Sequence, residues 1–300
     1  MADHLPLIFR AIREGKCLPF LGAGASAGYQ HNGTAVPGIP LGGQFTKLFN
    51  QRCGLTNGSA INDFRLAAEQ LVFQDSGSRD GLEQLIREQV SKVTEPRPIH
   101  TALAQLREIR FAITTNYDTL LETAARSQAR NLEVHVHDPA NLRTGHFLPK
   151  QSYKPDDLVL HKMHGNVEQP ATMLATRSDY IRYLANLSDP DRGMPESFRK
   201  FIIPNHSLLF LGYSLRDWNF LVVWDGVLQK HHDAGTPIKA YAVMHDFVDS
   251  DEDFCRDRGI KLLRCDLVEF ARRLATESTL AIPQLGIAKA AAAPQPGGAV

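Results

Sequence analysis

The chain has 300 residues, 43% of them hydrophobic, which is enough to bury a substantial core. Lysine plus arginine and aspartate plus glutamate both number 33, so the composition excludes a global electrostatic preference for nucleic acid, membranes or acidic partners. The chain does not open on an apolar signal core, and no run of about 18 apolar residues occurs. We therefore expect a cytoplasmic protein that binds no membrane and makes no direct contact with nucleic acid.

Hydrophobic periodicity and the positions of glycine and proline predict an α/β fold in which strands alternate with helices. The predicted strands are at 18–21, 111–114, 132–136, 157–163, 207–211, 239–244 and 260–264. The predicted helices are at 5–14, 44–51, 61–73, 81–93, 98–107, 119–129, 178–187, 196–203, 218–230 and 267–275. We expect one domain over 1–280 with a mostly parallel sheet, helices on both faces, a helical insertion at about 44–108 and a disordered tail over 281–300.

The first predicted strand ends in the run Gly22-Ala23-Gly24-Ala25-Ser26. Gly22 and Gly24 have no side chain to keep a pyrophosphate away from the backbone N–H groups of the loop, and the Ser26 hydroxyl adds a donor. The run therefore predicts nucleotide binding, with an ordinary βα turn as the alternative. No acidic residue lies between Glu14 and Asp63, so the carboxylate of a dehydrogenase-type site, expected about 20 residues after the loop, is missing.

Residues 29–43 hold many glycines and prolines, which predicts an irregular loop. A long loop next to a phosphate turn is a candidate lid over a ligand, and a plain surface excursion is the alternative. In either case, we expect no regular element there.

Two further strand ends carry polar side chains in the positions where open α/β sheets bind ligands. Thr115, Asn116 and Asp118 follow the predicted strand at 111–114. Asn116 or Asp118 could instead cap the next helix, and we expect one cap and one functional residue. Gly212, Tyr213 and Ser214 follow the predicted strand at 207–211, and their N–H and hydroxyl groups suit a ribose or a phosphate.

His164 and Gly165 follow the predicted strand at 157–163. A lone histidine in a sheet protein is commonly a satisfied structural group. Gly165 indicates a sharp turn at the strand's end, so we expect the imidazole to be exposed above the sheet beside Asn116. The chain's cysteines, Cys17, Cys53, Cys255 and Cys265, are scattered singly; we interpret them as reduced core thiols rather than functional groups and expect no metal site.

Taken in order, the strand ends resemble the sirtuin (Sir2) superfamily over roughly residues 15–265. The motifs are Gly22-Ala23-Gly24-Ala25-Ser26, Gly38-Ile39-Pro40, Thr114-Thr115-Asn116-Tyr117-Asp118, His164-Gly165 and Gly212-Tyr213-Ser214-Leu215. The resemblance implies a Rossmann-like catalytic domain whose NAD-binding residues are Gly22, Ala23, Gly24, Ser26, Thr115, Asp118, Gly212, Tyr213 and Ser214. It also implies that Asn116 and Asp118 contact the nicotinamide-side ribose and carboxamide, and that His164 is the general base.

Two departures from the sirtuin deacylases bear on activity. The deacylases carry a four-cysteine zinc module, which the isolated cysteines of this chain do not resemble. They also continue from Gly-Ile-Pro with Asp-Phe-Arg, whereas Pro40 is followed here by Leu41-Gly42-Gly43. The chain, including its run at 210–217, more closely resembles the bacterial Sir2-like effectors of antiphage defence, which destroy NAD+.

The resemblance therefore implies an NAD+ glycohydrolase that takes NAD+ as substrate, needs no zinc, and releases nicotinamide and ADP-ribose. The alternatives are an NAD-dependent deacylase or ADP-ribosyltransferase, and a non-catalytic module that senses NAD or ADP-ribose. Because uncontrolled loss of NAD+ is toxic, we expect a homo-oligomer that is regulated from outside the chain, by a partner such as an ATPase or an Argonaute.

Overall fold

The computed structural model describes residues 4–56, 58–138, 152–186, 194–214, 220–221, 224–228 and 238–288. The strands in chain order are β1 (Cys17–Leu21), β2 (Tyr29–His31), β3 (Thr34–Val36), β4 (Phe111–Thr114), β5 (Asn131–Val136), β6 (Asp157–Lys162), β7 (Ser207–Leu211), β8 (Ala240–Met244) and β9 (Ile260–Arg264). The helices are α1 (Leu5–Arg13), α2 (Gly42–Arg52), α3 (Phe64–Gln74), α4 (Asp80–Val90), α5 (Pro98–Gln105), α6 (Leu120–Ser127), α7 (Arg177–Asn186), α8 (Asp249–Asp257) and α9 (Leu267–Ser278).

The centre of the fold is a seven-stranded sheet in the order β5-β6-β4-β1-β7-β8-β9. Every neighbouring pair in this sheet is parallel. β1 lies in the middle, and its Phe20 pairs with Ile113 of β4 on one side and Phe210 of β7 on the other. The predicted α/β fold with a mostly parallel sheet is confirmed, and the strands that were expected to carry the site are neighbours.

Helices cover both faces of the sheet because its strands are apolar on both sides. Leu18 and Phe20 of β1 pack into one core with α8 and a π-helical turn at Phe198–Ile202. Cys17 and Leu21, which point to the other face, pack into a second core with α1, α5, α6 and α9. The period of two along β1 thus divides the buried residues between two layers.

The predicted helices between β1 and β4 are present, but they belong to two different layers. α2, α3 and α4 form a separate apolar cluster around residues such as Phe49, Leu71 and Ile86. α5 instead lies on the sheet, where Ile99 and Leu103 join the second core. The part of the insertion with its own core is therefore α2 to α4.

The prediction of an irregular loop over 29–43 is wrong, because β2 and β3 form an antiparallel hairpin there. His31 pairs with Thr34, and the intervening Asn32 and Gly33 both have positive φ, 49° and 75°. A two-residue Asn-Gly connection with both φ values positive is the type I′ turn that matches strand twist. The dipeptide was readable in the sequence.

One helix of the structure, α8, is absent from the prediction, and two other expectations are corrected or limited. The tail was expected to be disordered from residue 281, but Ile282 and Leu285 are buried and Ile282 forms a bridge with Ile287; residues 289–300 lie outside the described residues. The predicted helix at 218–230 is only partly described; Trp224–Leu228 is π-helical and Trp224 is 2% exposed.

Candidate active site

A cavity of about 910 Å³ opens at the carboxyl ends of the parallel strands. This is the edge at which open α/β sheets bind ligands. All the site residues predicted from the sequence line this one cavity, namely Gly22, Ala23, Gly24, Ser26, Thr115, Asn116, Asp118, His164, Gly212, Tyr213 and Ser214. The loops after β8 and β9 complete the wall with His245, Asp246, Cys265 and Asp266.

The glycine loop after β1 turns as a short 3-10 helix, Ala23–Ser26. The Gly22 N–H donates to the carbonyl of Leu211, and the Gly24 N–H donates to the carbonyl of Gly212, both at 2.9 Å. These two N–H groups therefore already have acceptors within the protein, and binding of a pyrophosphate by the loop stays a prediction. The loop lines the cavity, and the absence of side chains at Gly22 and Gly24 allows it to contact the loop after β7 closely.

Ser26, Asn116 and Asp118 form one hydrogen-bonded group in the cavity wall. The Asn116 Nδ2 donates to the Ser26 hydroxyl at 3.1 Å and to the Gly22 carbonyl at 3.0 Å. A carbonyl can only accept, which fixes the orientation of the Asn116 amide. The Ser26 Oγ in turn donates to Asp118 Oδ2 at 2.7 Å. The side-chain oxygen of Asn116 is therefore the atom left to accept a hydrogen bond from a ligand.

The sequence analysis expected Asn116 or Asp118 to cap the next helix, but the N-cap residue of α6 is Thr119, and Asp118 bonds the start of the helix from one residue before it. Its Oδ1 accepts the N–H of Leu120 at the start of α6, and the residue is 6% exposed. Both carboxylate oxygens thus already accept hydrogen bonds. Asn116 takes no part in capping and is the more available of the two for a ligand.

Thr115 and Tyr213 link the ends of β4 and β7 across β1. The Thr115 Oγ1 and the Tyr213 hydroxyl are 3.1 Å apart, and both residues are buried. Gly212, with φ of 71°, turns the chain so that its carbonyl reaches Gly24, and Ser214 beyond it is exposed at the cavity. The loop after β7 is therefore tied to the loops after β1 and β4.

His164 is buried, so the expectation of an exposed imidazole is wrong. It is 1% exposed, and its ring packs edge-on against Tyr180 and Tyr183 of α7 at centroid distances of 5.3 and 5.6 Å. Burial, with a smaller contribution from His137, lowers the pKa of His164 to about 3. Its Nε2 has no hydrogen-bond partner within the described residues. The ring lines the cavity as a neutral imidazole with an unused nitrogen.

The sequence analysis did not identify two groups at this site. Asp63, Phe64 and Arg65 at the start of α3 line the cavity, and the Arg65 guanidinium lies 5.8 Å from the centre of the Tyr180 ring. A signal was available: the Asp-Phe-Arg tripeptide that is missing after Pro40 occurs further along the chain. The second group is the buried ion pair of Lys162 and Glu122 beneath the 116–118 turn.

Within the described ranges, no three His, Cys, Asp or Glu side chains come together in a group that could hold a metal ion. None of the helices in the same ranges has the length and apolar composition needed to cross a bilayer.

The parallel sheet, the glycine loop and the strand-end cavity define an α/β protein with its candidate ligand site at the carboxyl edge of the sheet. The model of the SIR2-like domain family matches residues 110–263, just over half of the chain. The chain belongs to the SIR2-like domain family.

Several curated relatives are similar over part of their length. The chain is 26% identical over 200 residues to the NAD(+) hydrolase ThsA of Enterococcus faecium, covering 65% of this chain and 39% of that protein. It is 25% identical over 237 residues to the defense-associated sirtuin 2 of Bacillus subtilis, covering 74% of this chain and 20% of that protein. The chain thus spans well under half the length of these relatives.

Among solved structures, a Sir2 protein bound to a propionylated peptide is 16% identical, with a TM-score of 0.46. The alignment covers 92% of this chain and 99% of that one.

Proposed function

We propose that this chain hydrolyses NAD+ to nicotinamide and ADP-ribose and acts as an NAD-depleting effector of antiphage defence. One observation carries the proposal: Asn116 and His164, from two different strand ends, line a single cavity together with the glycine loop. The names of the relatives, NAD(+) hydrolase and defense-associated sirtuin, support the same activity and setting.

The chemistry of the bond explains why so few groups are needed. The nicotinamide–ribose bond breaks through an oxocarbenium-like transition state with nicotinamide as a good leaving group. The site has to orient the ribose, exclude bulk solvent and admit one water. Asn116 suits this role because its Nδ2 is fixed by Gly22 and Ser26, which leaves its oxygen to accept from a ribose hydroxyl or from the water.

His164 is proposed as the proton acceptor. As the water oxygen bonds to the anomeric carbon, the proton of that water passes to the imidazole and from there to solvent, and nicotinamide leaves with the electrons of the broken bond. Burial lowers the pKa of His164 to about 3, so the ring is neutral at physiological pH and its free nitrogen can accept a proton, but as a weak base. General-base assistance contributes about 10² to 10⁴ in rate when the pKa of the base lies near the working pH, so we expect His164 to contribute near the lower end of that range.

The predicted contact of Asp118 with the carboxamide stays a prediction. Its two oxygens already accept from Ser26 and Leu120, so any contact would use a remaining lone pair. Asp118 therefore contributes first by holding Ser26, which in turn holds Asn116. Binding of the NAD diphosphate and ribose by the loops at Gly22–Ser26 and Gly212–Ser214 is likewise part of the proposal.

A deacylase or ADP-ribosyltransferase is the weaker alternative. Cys17, Cys255 and Cys265 are buried free thiols, as expected, whereas Cys53 is only partly buried rather than a core thiol. We also propose that the protein works as a homo-oligomer under the control of a regulatory partner, because free NAD+ hydrolysis would harm the cell.

The test is chromatography of purified protein mixed with NAD+ alone, followed by nicotinamide and ADP-ribose. We expect equal release of the two products without an acylated peptide. Asn116→Ala and His164→Phe should each lose most of this release, and phenylalanine is chosen at 164 because it keeps the packing against Tyr180 and Tyr183. Asn186→Ala at the end of α7 is the matched control. A requirement for an acylated peptide, or full activity in both site variants, would overturn the proposal.

A further inference from the structure

We infer that Lys162 is a positioning residue: its ammonium group fixes the 116–118 turn, and with it Asn116, relative to His164. This inference rests on the proposed function, because Asn116 and His164 are the residues that the proposal assigns to catalysis.

Lys162 stands where the two strand ends meet. It is the last residue of β6 and pairs with Thr114, the last residue of β4. The Met163 N–H donates to the Thr114 carbonyl at 2.8 Å, so the two strands remain in register up to this point. Asn116 and His164 each follow two residues later, on separate turns that share this origin.

The Lys162 side chain is fully buried and reaches under the neighbouring turn. Its Nζ donates to the backbone carbonyl of Asp118, to that of Tyr117 at 3.4 Å, and to Glu122 Oε1 at 2.7 Å. An ammonium group has three hydrogens to donate, and here all three point to residues of the turn or of α6, which follows it. One side chain on β6 therefore holds the backbone on both sides of Asp118.

Stability alone does not explain this pair. Side-chain exposure is 0% for Lys162 and 3% for Glu122, and burial raises the pKa of Glu122. Removing two charges from water is expensive, and an apolar pair of similar volume is often as stable or more so. An apolar pair would, however, remove the Lys162 donor from the Asp118 carbonyl and leave the Tyr117 carbonyl with the Val167 N–H at 2.9 Å as its remaining backbone donor. What the ion pair adds is the orientation of the turn.

The orientation matters because the Asn116 side chain is aimed by its hydrogen bonds to Gly22 and Ser26. The Asn116 N–H donates to the Thr114 hydroxyl at 3.0 Å, and Lys162 holds the residues that follow from the β6 side. Misplacement of a positioning group by about 1 Å lowers the rate on the order of 10²-fold. Substrate binding should depend less on Lys162, since the glycine loop is fastened to β7 through Leu211 and Gly212.

The experiment separates orientation from stability with Lys162→Met, Glu122→Gln and the double variant Lys162→Met/Glu122→Met. For Lys162→Met we expect kcat for nicotinamide release to fall ~10-fold or more, with KM changed less than about threefold. Glu122→Gln keeps an acceptor for Nζ and should keep kcat near wild type. The double variant should regain the melting temperature but not kcat. Recovery of both in the double variant, or an unchanged kcat in Lys162→Met, would overturn the inference.

Lys200→Met is the matched control, because Lys200 pairs with Glu196 at the surface. If the wild-type protein releases no nicotinamide, the proposed function fails, and hydrogen exchange then decides the inference separately. The amides of residues 116–120 should exchange faster in the double variant than in wild type and in Lys200→Met. Equal exchange in all three proteins would overturn the positioning role.

Discussion

The Gly24 N–H donates to the Gly212 carbonyl at 2.9 Å, which fastens the loop after β1 to the loop after β7. A Cβ on Gly24 would lie 2.9 Å from both the Cα and the carbonyl oxygen of Gly212. The missing side chain at Gly24 therefore serves the contact between two loops before it serves any ligand.

Gly24→Val should lower the melting temperature and raise KM for NAD+ together, because the branched side chain would push the Gly212 loop away from the cavity. Thermal unfolding and steady-state nicotinamide release measure the two effects. Gly43→Ala is the control, since Gly43 also lines the cavity but a Cβ there meets nothing within 4 Å. A raised KM at an unchanged melting temperature would instead indicate direct contact between Gly24 and the phosphates.

The activity should not decline between pH 8 and pH 5 through titration of His164. Its pKa of about 3 keeps the imidazole neutral over this range. A histidine with the ordinary pKa of about 6.5 would instead become protonated, and its neutral fraction would fall about tenfold per pH unit below that value. The measurement is kcat/KM for nicotinamide release against pH, in brief assays with folding checked at each pH. A fall in kcat/KM with a midpoint near pH 6.5 would show that the pKa of His164 is not lowered in solution.

The folded protein should lose stability as the pH falls below 6.5. His161 and His164 have pKa values lowered to about 3, and His100 and His137 to about 4, all mainly by burial. Below 6.5 the unfolded chain binds protons that the folded chain refuses, so each group removes about 1.4 kcal/mol of unfolding free energy per pH unit until its folded pKa is reached.

His161→Leu isolates one of these groups, because both ring nitrogens of His161 are without partners in the described part of the chain. Chemical unfolding at pH 7.5 and pH 5.5 should show a difference between the two pH values about 1.4 kcal/mol smaller than in wild type. His245→Gln, at an exposed histidine, should leave that difference unchanged. A wild-type pH dependence in His161→Leu would mean that His161 does not contribute.

Ser26→Ala should lower turnover through Asn116 rather than by direct loss of a catalytic group. The variant removes one of the two acceptors of the Asn116 amide and the donor to Asp118, and a buried carboxylate oxygen without its donor costs about 1–3 kcal/mol. We expect a lower kcat and a lower melting temperature, measured beside Ser127→Ala at the exposed end of α6. If Ser26→Ala keeps the wild-type kcat, Ser26 does not contribute to turnover through Asn116.

Much of the site was predictable because strand ends are local features. A short apolar run followed by small or polar residues marks the carboxyl end of a parallel strand, and the fold brings such ends to one edge. The runs after β1, β4, β6 and β7 all reached the cavity for this reason. The type I′ hairpin also depends on a local feature, the Asn32-Gly33 dipeptide, although the many glycines and prolines around it favoured the prediction of a loop.

Burial and partners were not predictable in the same way. His164 is covered by Tyr180 and Tyr183, whose helix packs there only through tertiary contacts. The N–H groups of Gly22 and Gly24 donate to the carbonyls of Leu211 at the end of β7 and of Gly212 just after it, far along the chain. Lys162 and Glu122 are separated by 40 residues, and no periodicity in the sequence relates them. These features follow from the assembled sheet.

The hairpin of β2 and β3 leaves the body of the protein and returns to it at nearly the same point. Gly28 and Gly38 face each other so closely that a Cβ on Gly38 would lie 1.9 Å from the Gly28 nitrogen, and the Ile39 N–H donates to the Ser26 carbonyl. None of the residues of β2 and β3 lines the cavity, so a longer hairpin should leave the cavity unchanged. Doubling the length of a loop costs only about 0.6 kcal/mol in closure entropy. The tip at Asn32 and Gly33 is accordingly a natural graft point for an epitope or a fluorescent label.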